Sequence, residues 1–355
     1  MNSKSIITLL MGSLALAACD EKGDPYIEPE NLPTPEVVIT RQMADSIWIK
    51  YLGTGIPEFN EAARPQRETQ DYYEDYVENW ILPDEETRDI VITFDHGKVS
   101  WTYPDEKNKK TEQAVKISAN GAHLTIRNEE VINGVAEGRA RVNYILKGAS
   151  DDASVRIYSN KKFMITLDNV SLLNSVGSVI NVQKSLEKKR VFINVKENTS
   201  NYISDATVYT DTIEGEDDKG AIFSEGKMII TGKGLLQVEG NNAHAIASDD
   251  RIHIHGGVML EVKNAAKDGL HAKDDIVISG GWVRSFADKD AIQSEELQMR
   301  GGCLMTAAKR AVTAPVFNYS GGTFCLVGNE TDLPSSATCS WDSIPTIGYK
   351  ILLGK

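Results

Sequence analysis

Positive charge is scarce in this chain: 38 Lys and Arg stand against 51 Asp and Glu in 355 residues, a formal net charge of −13. A chain with that balance repels phosphate backbones, which excludes nucleic acid as a partner. Cysteine is scarce too, four residues in all. One, Cys19, stands in the N-terminal segment. Cys303, Cys325 and Cys339 permit at most one disulfide and show no metal-ligand spacing, so cysteine points to neither a zinc nor a redox site. Long hydrophobic runs are absent as well. The apolar stretch Ile6 to Leu16 falls well short of the ~20 residues a spanning helix needs.

What that stretch does match is an export signal, with one positive charge, Lys4, ahead of the apolar run. It ends Leu16-Ala17-Ala18-Cys19, which resembles the lipobox of bacterial lipoproteins. The resemblance implies removal of residues 1–18, lipidation of Cys19 and membrane attachment through that anchor alone. Loss of Lys4 takes the formal charge from −13 to −14. Residues 19–36, with Asp20, Glu21, Asp24 and four prolines from Pro25 to Pro35, cannot bury a core and read as an extended tether. Acidic residues directly after the cysteine look like the surface-export signal of Bacteroides-type lipoproteins, which implies the outer face of the outer membrane. Residues 37–88 are expected to form an N-terminal cap, with Tyr72, Tyr73, Tyr76 and Trp80 at helix-like spacing over the open first coil.

From there on the chain repeats itself. Gly220-Ala221-Ile222, His244-Ala245-Ile246, Asp268-Gly269-Leu270, Asp290-Ala291-Ile292 and Arg310-Ala311-Val312 recur at steps of 24, 24, 22 and 20. In phase with them, Gly256-Gly257, Gly280-Gly281, Gly301-Gly302 and Gly321-Gly322 recur at 24, 21 and 20. Such steps mark a solenoid. The segments between, such as Arg251 to His255 and Asp275 to Ile278, are short and alternate apolar with polar residues, the pattern of half-buried strands. They leave no room for the helices of ankyrin or tetratricopeptide repeats, so a coil of short parallel strands remains, all-β in class. Ala114 to Ser118, His123 to Asn128, Val155 to Tyr158, Phe163 to Asn169, Val179 to Val182 and Val191 to Val195 read as earlier strands of the same kind. The coil is expected over residues 89–329, with 330–355 as a C-terminal flap.

The motifs Ile157 to Phe163, Lys189 to Ile193, Lys219 to Gly226, His244 to Asp250 and Asp268 to His271, in that order, resemble the carbohydrate-binding β-helix family of bacterial surface lipoproteins and cellulosome-type secreted proteins. The resemblance implies a right-handed single-stranded parallel β-helix related to polysaccharide lyases, calcium in its turns, and a cellulose-like or acidic polysaccharide as partner. It does not imply lyase activity. Arg310-Ala311-Val312 departs from the family's Asp-Gly-Ile type of corner.

The residues themselves carry one strong chemical signal, carboxylates at recurring corners: Asp217 and Asp218, Asp249 and Asp250, Asp274 and Asp275, then Glu295 and Glu296, with Asp268 and Asp290 opening two coils; the eight aspartates are the metal candidates. Stacked about 5 Å apart, like charges need compensation, and a hard divalent ion with six to eight oxygen ligands supplies it. Calcium suits such flexible turns, although Asp also caps turns with no ion present. Asp205 and Asp211 are weaker candidates. Trp282 is the candidate for stacking on a sugar ring, with His271 and Lys273 as polar contacts. His253 and His255 share the polar face of one strand and are expected to be solvated. Two further readings stand beside non-catalytic binding. One is a lyase in which a corner base such as Lys219, Lys267, Lys273 or Arg251 removes the proton next to a uronate carboxylate. The other is a structural or adhesive surface protein.

Overall fold

The computed structural model describes residues 37–53, 87–103, 115–129, 131–132, 135–136, 141–184, 190–335, 337, 340–346 and 348–354. The signal, Cys19, the tether, the Tyr72 to Trp80 segment and Cys339 lie outside them. Regular structure in the described chain is nearly all strand, with one helix, α1 (Arg41–Leu52). No described helix is long and apolar enough to cross a membrane.

Parallel pairing dominates, and through the repeat region every third strand stacks on its counterpart. Gly220–Ser224, His244–Ser248, Asp268–Ala272 and Asp290–Gln293 form one ladder. Met228–Gly232, Ile252–Ile254, Asp275–Ile278 and Glu296–Met299 form a second. Leu235–Gly240, Met259–Ala265, Trp282–Phe286 and Cys303–Ala308 form a third. The sequence markers are themselves ladder partners: Gly220 pairs with His244, Asp268 with Asp290, and Asp290 with Arg310.

Alternate residues of each strand point inward and stack into columns. Ile180, Ile222, Ile246, Leu270 and Ile292 make one, Val191, Met228, Ile252, Ile276, Leu297 and Phe317 another, and all are buried. Each such side chain contributes about 1.5–3 kcal/mol on burial, repeated at every coil. The Gly-Gly corners supply a left-handed residue: Gly281 and Gly302 have φ of 80° and 78°, and a Cβ on Gly302 would lie 2.6 Å from the Gly281 carbonyl oxygen. Only glycine fits both demands.

Antiparallel strands close both ends of the stack. Thr87–Asp95 pairs with Lys98–Thr102, and Lys116–Asn120 with His123–Asn128. At the far end Lys350–Gly354 pairs with Thr323–Gly328 and with Asp342–Pro345.

Of the 37–88 segment, residues 37–53 pack on late strands rather than over the first ones, while 87–88 open the strand Thr87–Asp95. Thr40 caps α1, its hydroxyl accepting from the Met43 amide at 3.3 Å, and Gly53 ends it at φ 76°. The buried residues of the helix, Ala44 and Trp48, are one turn apart and cover Cys303, Met305, Ala307, Cys325 and Val327. Those two late strands carry apolar residues on their outer face as well, which the helix removes from water. Trp48 Nε1 donates to the Thr306 carbonyl at 3.3 Å.

Candidate functional site

The eight-stranded sheet, from Lys116–Asn120 through Asp290–Gln293, carries its ladder of outward positions through Ser118, Thr125, Arg156, Asn181, Phe223, Ala247, His271 and Gln293. Because strand side chains alternate, the period that stacks isoleucines inside lays a mostly polar stripe outside. The connection from Asp205 to Lys219, between Ser200–Ser204 and Gly220–Ser224, folds across its middle: the Asp217 carbonyl accepts from Gln183 Nε2 at 2.5 Å, and Lys219 lies over the Phe223 ring. On one side this leaves a groove of about 630 Å3 with Ser118, His123, Thr125 and Arg156 on the sheet and Thr210 and Asp211 on the loop.

Beneath the loop the groove meets a small polar cavity with room for roughly one ion, about 10 Å3, lined by Asn174, Ser178, Asn181, Asp211 and Asp218. Ser178 donates to Asp218 Oδ1, but Asp218 Oδ2 is buried without a hydrogen-bond partner. Burial raises the Asp218 carboxyl above the usual carboxylate range and the charge on Asp211 adds to that, against Ser178 and Arg156. Next to it, burial pushes Asp205 up to about 6, with help from Asp218, although Tyr209 and the Asn241 amide donate to it. Arg156 Nη2 donates to the Asp211 carbonyl at 3.3 Å, but approaches the carboxylates of Asp211 and Glu216 only at 4.0 and 3.9 Å.

The corner carboxylates are arranged differently. Asp275 takes Arg251 Nε at 2.8 and 2.9 Å. Asp290, fully buried, is held by Arg310 Nε and Nη2, Thr313 Oγ1 at 2.9 Å and Lys289 at 3.0 Å. Asp217 and Asp249 share Lys219, at 2.8 and 2.7 Å. Asp268 faces His244, His271 and Lys289. The expected column of uncompensated charge is therefore largely a column of ion pairs, since the repeat stacks basic residues on acidic ones. Asp250 and Asp274 are the exception. Asp250 accepts the Arg251 amide at 2.9 Å and is raised by burial, with a contribution from exposed Asp274, against the charges of Lys227 and Arg251.

Trp282 packs beside the α1 cluster with Arg284 5.1 Å from its ring centroid, so its surroundings are the helix rather than an open platform. Lys273 is exposed and His271 half-exposed on the polar stripe. His253 and His255, expected to be solvated, are buried at 0% and 5% exposure. His253 Nε2 lies 2.8 Å from Ser279 Oγ, and His255 Nδ1 lies 3.4 Å from Thr231 Oγ1. Hydroxyls on neighbouring coils replace water for both rings, which alternation within one strand could not show. Sequence reasoning also missed Asn174, Asn181 and Arg156. The clue was the break in period, an interval of fifteen residues from Asp205 to Lys219 where other turns take a few. Trp341, in the tail beside Tyr51 and a pocket of about 310 Å3, is an exposed indole that the repeats gave no reason to single out.

A family model described as "Carbohydrate-binding domain-containing protein" matches residues 108–339, well over half of the chain. The chain belongs to this carbohydrate-binding domain family. The matched span takes in the groove, the acidic loop and the polar stripe, whereas α1 lies outside it. Among solved structures, a polysaccharide lyase-like protein from C. thermocellum, studied as a gadolinium derivative, is similar in fold at a TM-score of 0.51 and 19% identity. The similarity covers 69% of this chain and 96% of that one. No curated protein matches.

Proposed function

We propose that this member of the carbohydrate-binding domain family holds a polysaccharide, cellulose-like or acidic, at the bacterial cell surface without cleaving it. The observation that carries the reading is the groove over Ser118, Thr125 and Arg156, continuous with a polar ladder along the sheet. Hydroxyl, amide and guanidinium donors set at strand spacing match the repeating hydroxyls of an extended glycan, and a guanidinium also suits a uronate carboxylate. The three stacked ladders form, on this reading, a right-handed single-stranded parallel β-helix, and Cys19 anchors it by lipid to the outer membrane, facing outward.

Calcium belongs to the same proposal, and the residues fit it at the loop better than at the corners. Asp211 and Asp218 with the amides of Asn174 and Asn181 offer oxygen donors around the cavity, and the orphaned Asp218 Oδ2 lacks the partner that a cation would provide. Bound there, calcium would relieve the mutual repulsion of the loop carboxylates and fix the groove wall that they belong to. Of the eight corner ligands named from the sequence, Asp218 lines this cavity, whereas Asp217, Asp249, Asp268, Asp275 and Asp290 have cationic partners.

The lyase reading finds less support. Burial works against the charge on Lys219, but hydrogen bonds to Asp217 and Asp249 outweigh it and hold the ammonium above its usual range, the wrong direction for a base. Arg251 is committed to Asp275. Retention of the purified chain on insoluble and acidic polysaccharides, with calcium or with chelator, tests the proposal while ultraviolet absorbance is followed. Calcium-dependent retention without absorbance, weakened by Arg156→Ala, is the expected result. Rising absorbance would make the protein a lyase, and no retention would leave a scaffold whose partner is not a sugar.

A further inference from the structure

The corner at which one coil opens holds a cluster unlike the oxygen-lined cavity. His244 and Asp268 occupy equivalent positions 24 residues apart on adjacent strands, in the register that pairs Ile246 with Leu270, and His271 lies three residues beyond Asp268 on the same strand. His244 Nδ1 is 3.1 Å and His271 Nδ1 3.0 Å from the same oxygen, Asp268 Oδ2. The imidazole ring centroids lie 4.1 Å apart with their planes tilted by 30°, and one donor atom from each of the three residues falls within 4.8 Å of the others. His271 makes an ordinary hydrogen bond to the carboxylate. His244 Nδ1 does not: it is enclosed, close to Oδ2, and has no hydrogen-bond partner in a workable direction. Two ring nitrogens thus crowd one carboxylate oxygen, and only one of them is hydrogen-bonded to it.

A hydrogen-bonded triad would align both N–H groups on Oδ2. An ion between the three atoms needs them to converge instead, and it accounts for the proximity and the misalignment together. The edge between ligand atoms around a tetrahedral zinc ion with bonds of about 2.0–2.1 Å is about 3.3 Å, close to the two nitrogen-to-oxygen separations of 3.1 and 3.0 Å, and the third edge lies within 4.8 Å. The donor set decides the class of ion. Calcium takes six to eight oxygens, whereas imidazole nitrogen with one carboxylate suits zinc and its neighbours. Asp268 is 1% exposed and Lys289 stands 3.4 Å from its other oxygen, which orients Oδ2 toward the histidines. The charge on Lys289 is balanced by Asp290 at 3.0 Å. The side chains of His244 and His271 retain 12% and 27% exposure, so the site opens to solvent along the polar stripe. From this geometry we infer that His244, Asp268 and His271 form a binding site for a divalent transition-metal ion of the zinc class, with an open position for water or a ligand oxygen.

Titration of the untagged full chain, solubilised in detergent, with zinc, cobalt and calcium chlorides tests the inference. One equivalent of zinc should bind after saturation with calcium, and cobalt should give visible absorption bands typical of low-coordinate nitrogen and oxygen ligation. His271→Ala, at the exposed edge where folding is least at risk, should weaken zinc binding at least about tenfold by the loss of one ligand. His244→Ala should do the same. His96→Asn, which removes an exposed histidine in the turn between Thr87–Asp95 and Lys98–Thr102, should leave it unchanged. Zinc bound no tighter than calcium, or bound equally by both site variants with circular dichroism unaltered, would overturn the site. Polysaccharide retention is a separate readout: its failure with zinc binding intact would remove the proposed function and leave this site standing.

Discussion

Two groups of aspartates in this protein have the same chemistry and opposite surroundings. At the corners, Asp275 and Asp290 each meet an arginine from a neighbouring coil. In the Asp205 to Lys219 loop, Asp205, Asp211 and Asp218 crowd one another, and buried Asp218 Oδ2 has no partner. The difference lies in periodicity. The same repeat that stacks acid on acid also stacks Arg251 on Asp275, 24 residues apart, and Arg310 on Asp290, 20 apart. The loop breaks the period, so the repeat offers it only Arg156, which stays 4.0 Å from the Asp211 carboxylate and 3.9 Å from that of Glu216. A count of carboxylates cannot separate a self-compensated column from a site that lacks a cation; the partner one coil away can.

Removing one partner is the most direct way to break the comparison. Arg310→Ala would leave fully buried Asp290 with Lys289 and Thr313 alone and should cost about 3 kcal/mol, measured by urea unfolding. A loss under about 1 kcal/mol would show the corner to be held by packing rather than by the pair. The loop should respond to acid in the opposite sense to a paired carboxylate. With Asp205 pushed up to about 6 from 3.8, its cost is fully present above that pH and shrinks as pH falls toward 4. In chelator, stability should therefore rise by up to about 2–3 kcal/mol between pH 7 and 4 from this group, and Asp205→Asn should flatten the profile. Asp218→Asn is the smaller test. It should raise the melting temperature slightly in chelator, by about 1 kcal/mol of relieved repulsion, and abolish the added stability that calcium confers on the parent chain.

The stacking was legible because the markers lie in the ladder: Gly220, His244, Asp268, Asp290 and Arg310 recur in sequence since they are neighbours in space. The strand Val191–Val195 has the limits its alternation gives, while Lys116–Asn120 begins two residues later than its pattern suggests. Contacts that cross coils at other intervals left no such trace. Trp48 reaches Thr306 across 258 residues, and His253 finds Ser279 on the next coil. The histidine cluster was half legible, because His244 occupies the marker position that Asp268 fills in the following coil. Cysteine spacing is the usual guide to such an ion, and here it gives none. The acidic loop showed only as an irregular interval, since its convergence on Asn174 and Ser178 depends on tertiary folding.

The path of residues 37–53 has a mechanical consequence. The Val37 carbonyl is held by Asn329 Nδ2 at 2.8 Å, and α1 then runs across Cys303–Ala308 and Thr323–Gly328, with Arg41 bound to Glu261 and Arg284 to Asp45. Tension on the chain ahead of Val37 thus enters the stack through its late coils. It must dislodge the Trp48 indole and two arginine bridges at once before any strand is peeled, and the coils carrying the groove would be shielded from the load.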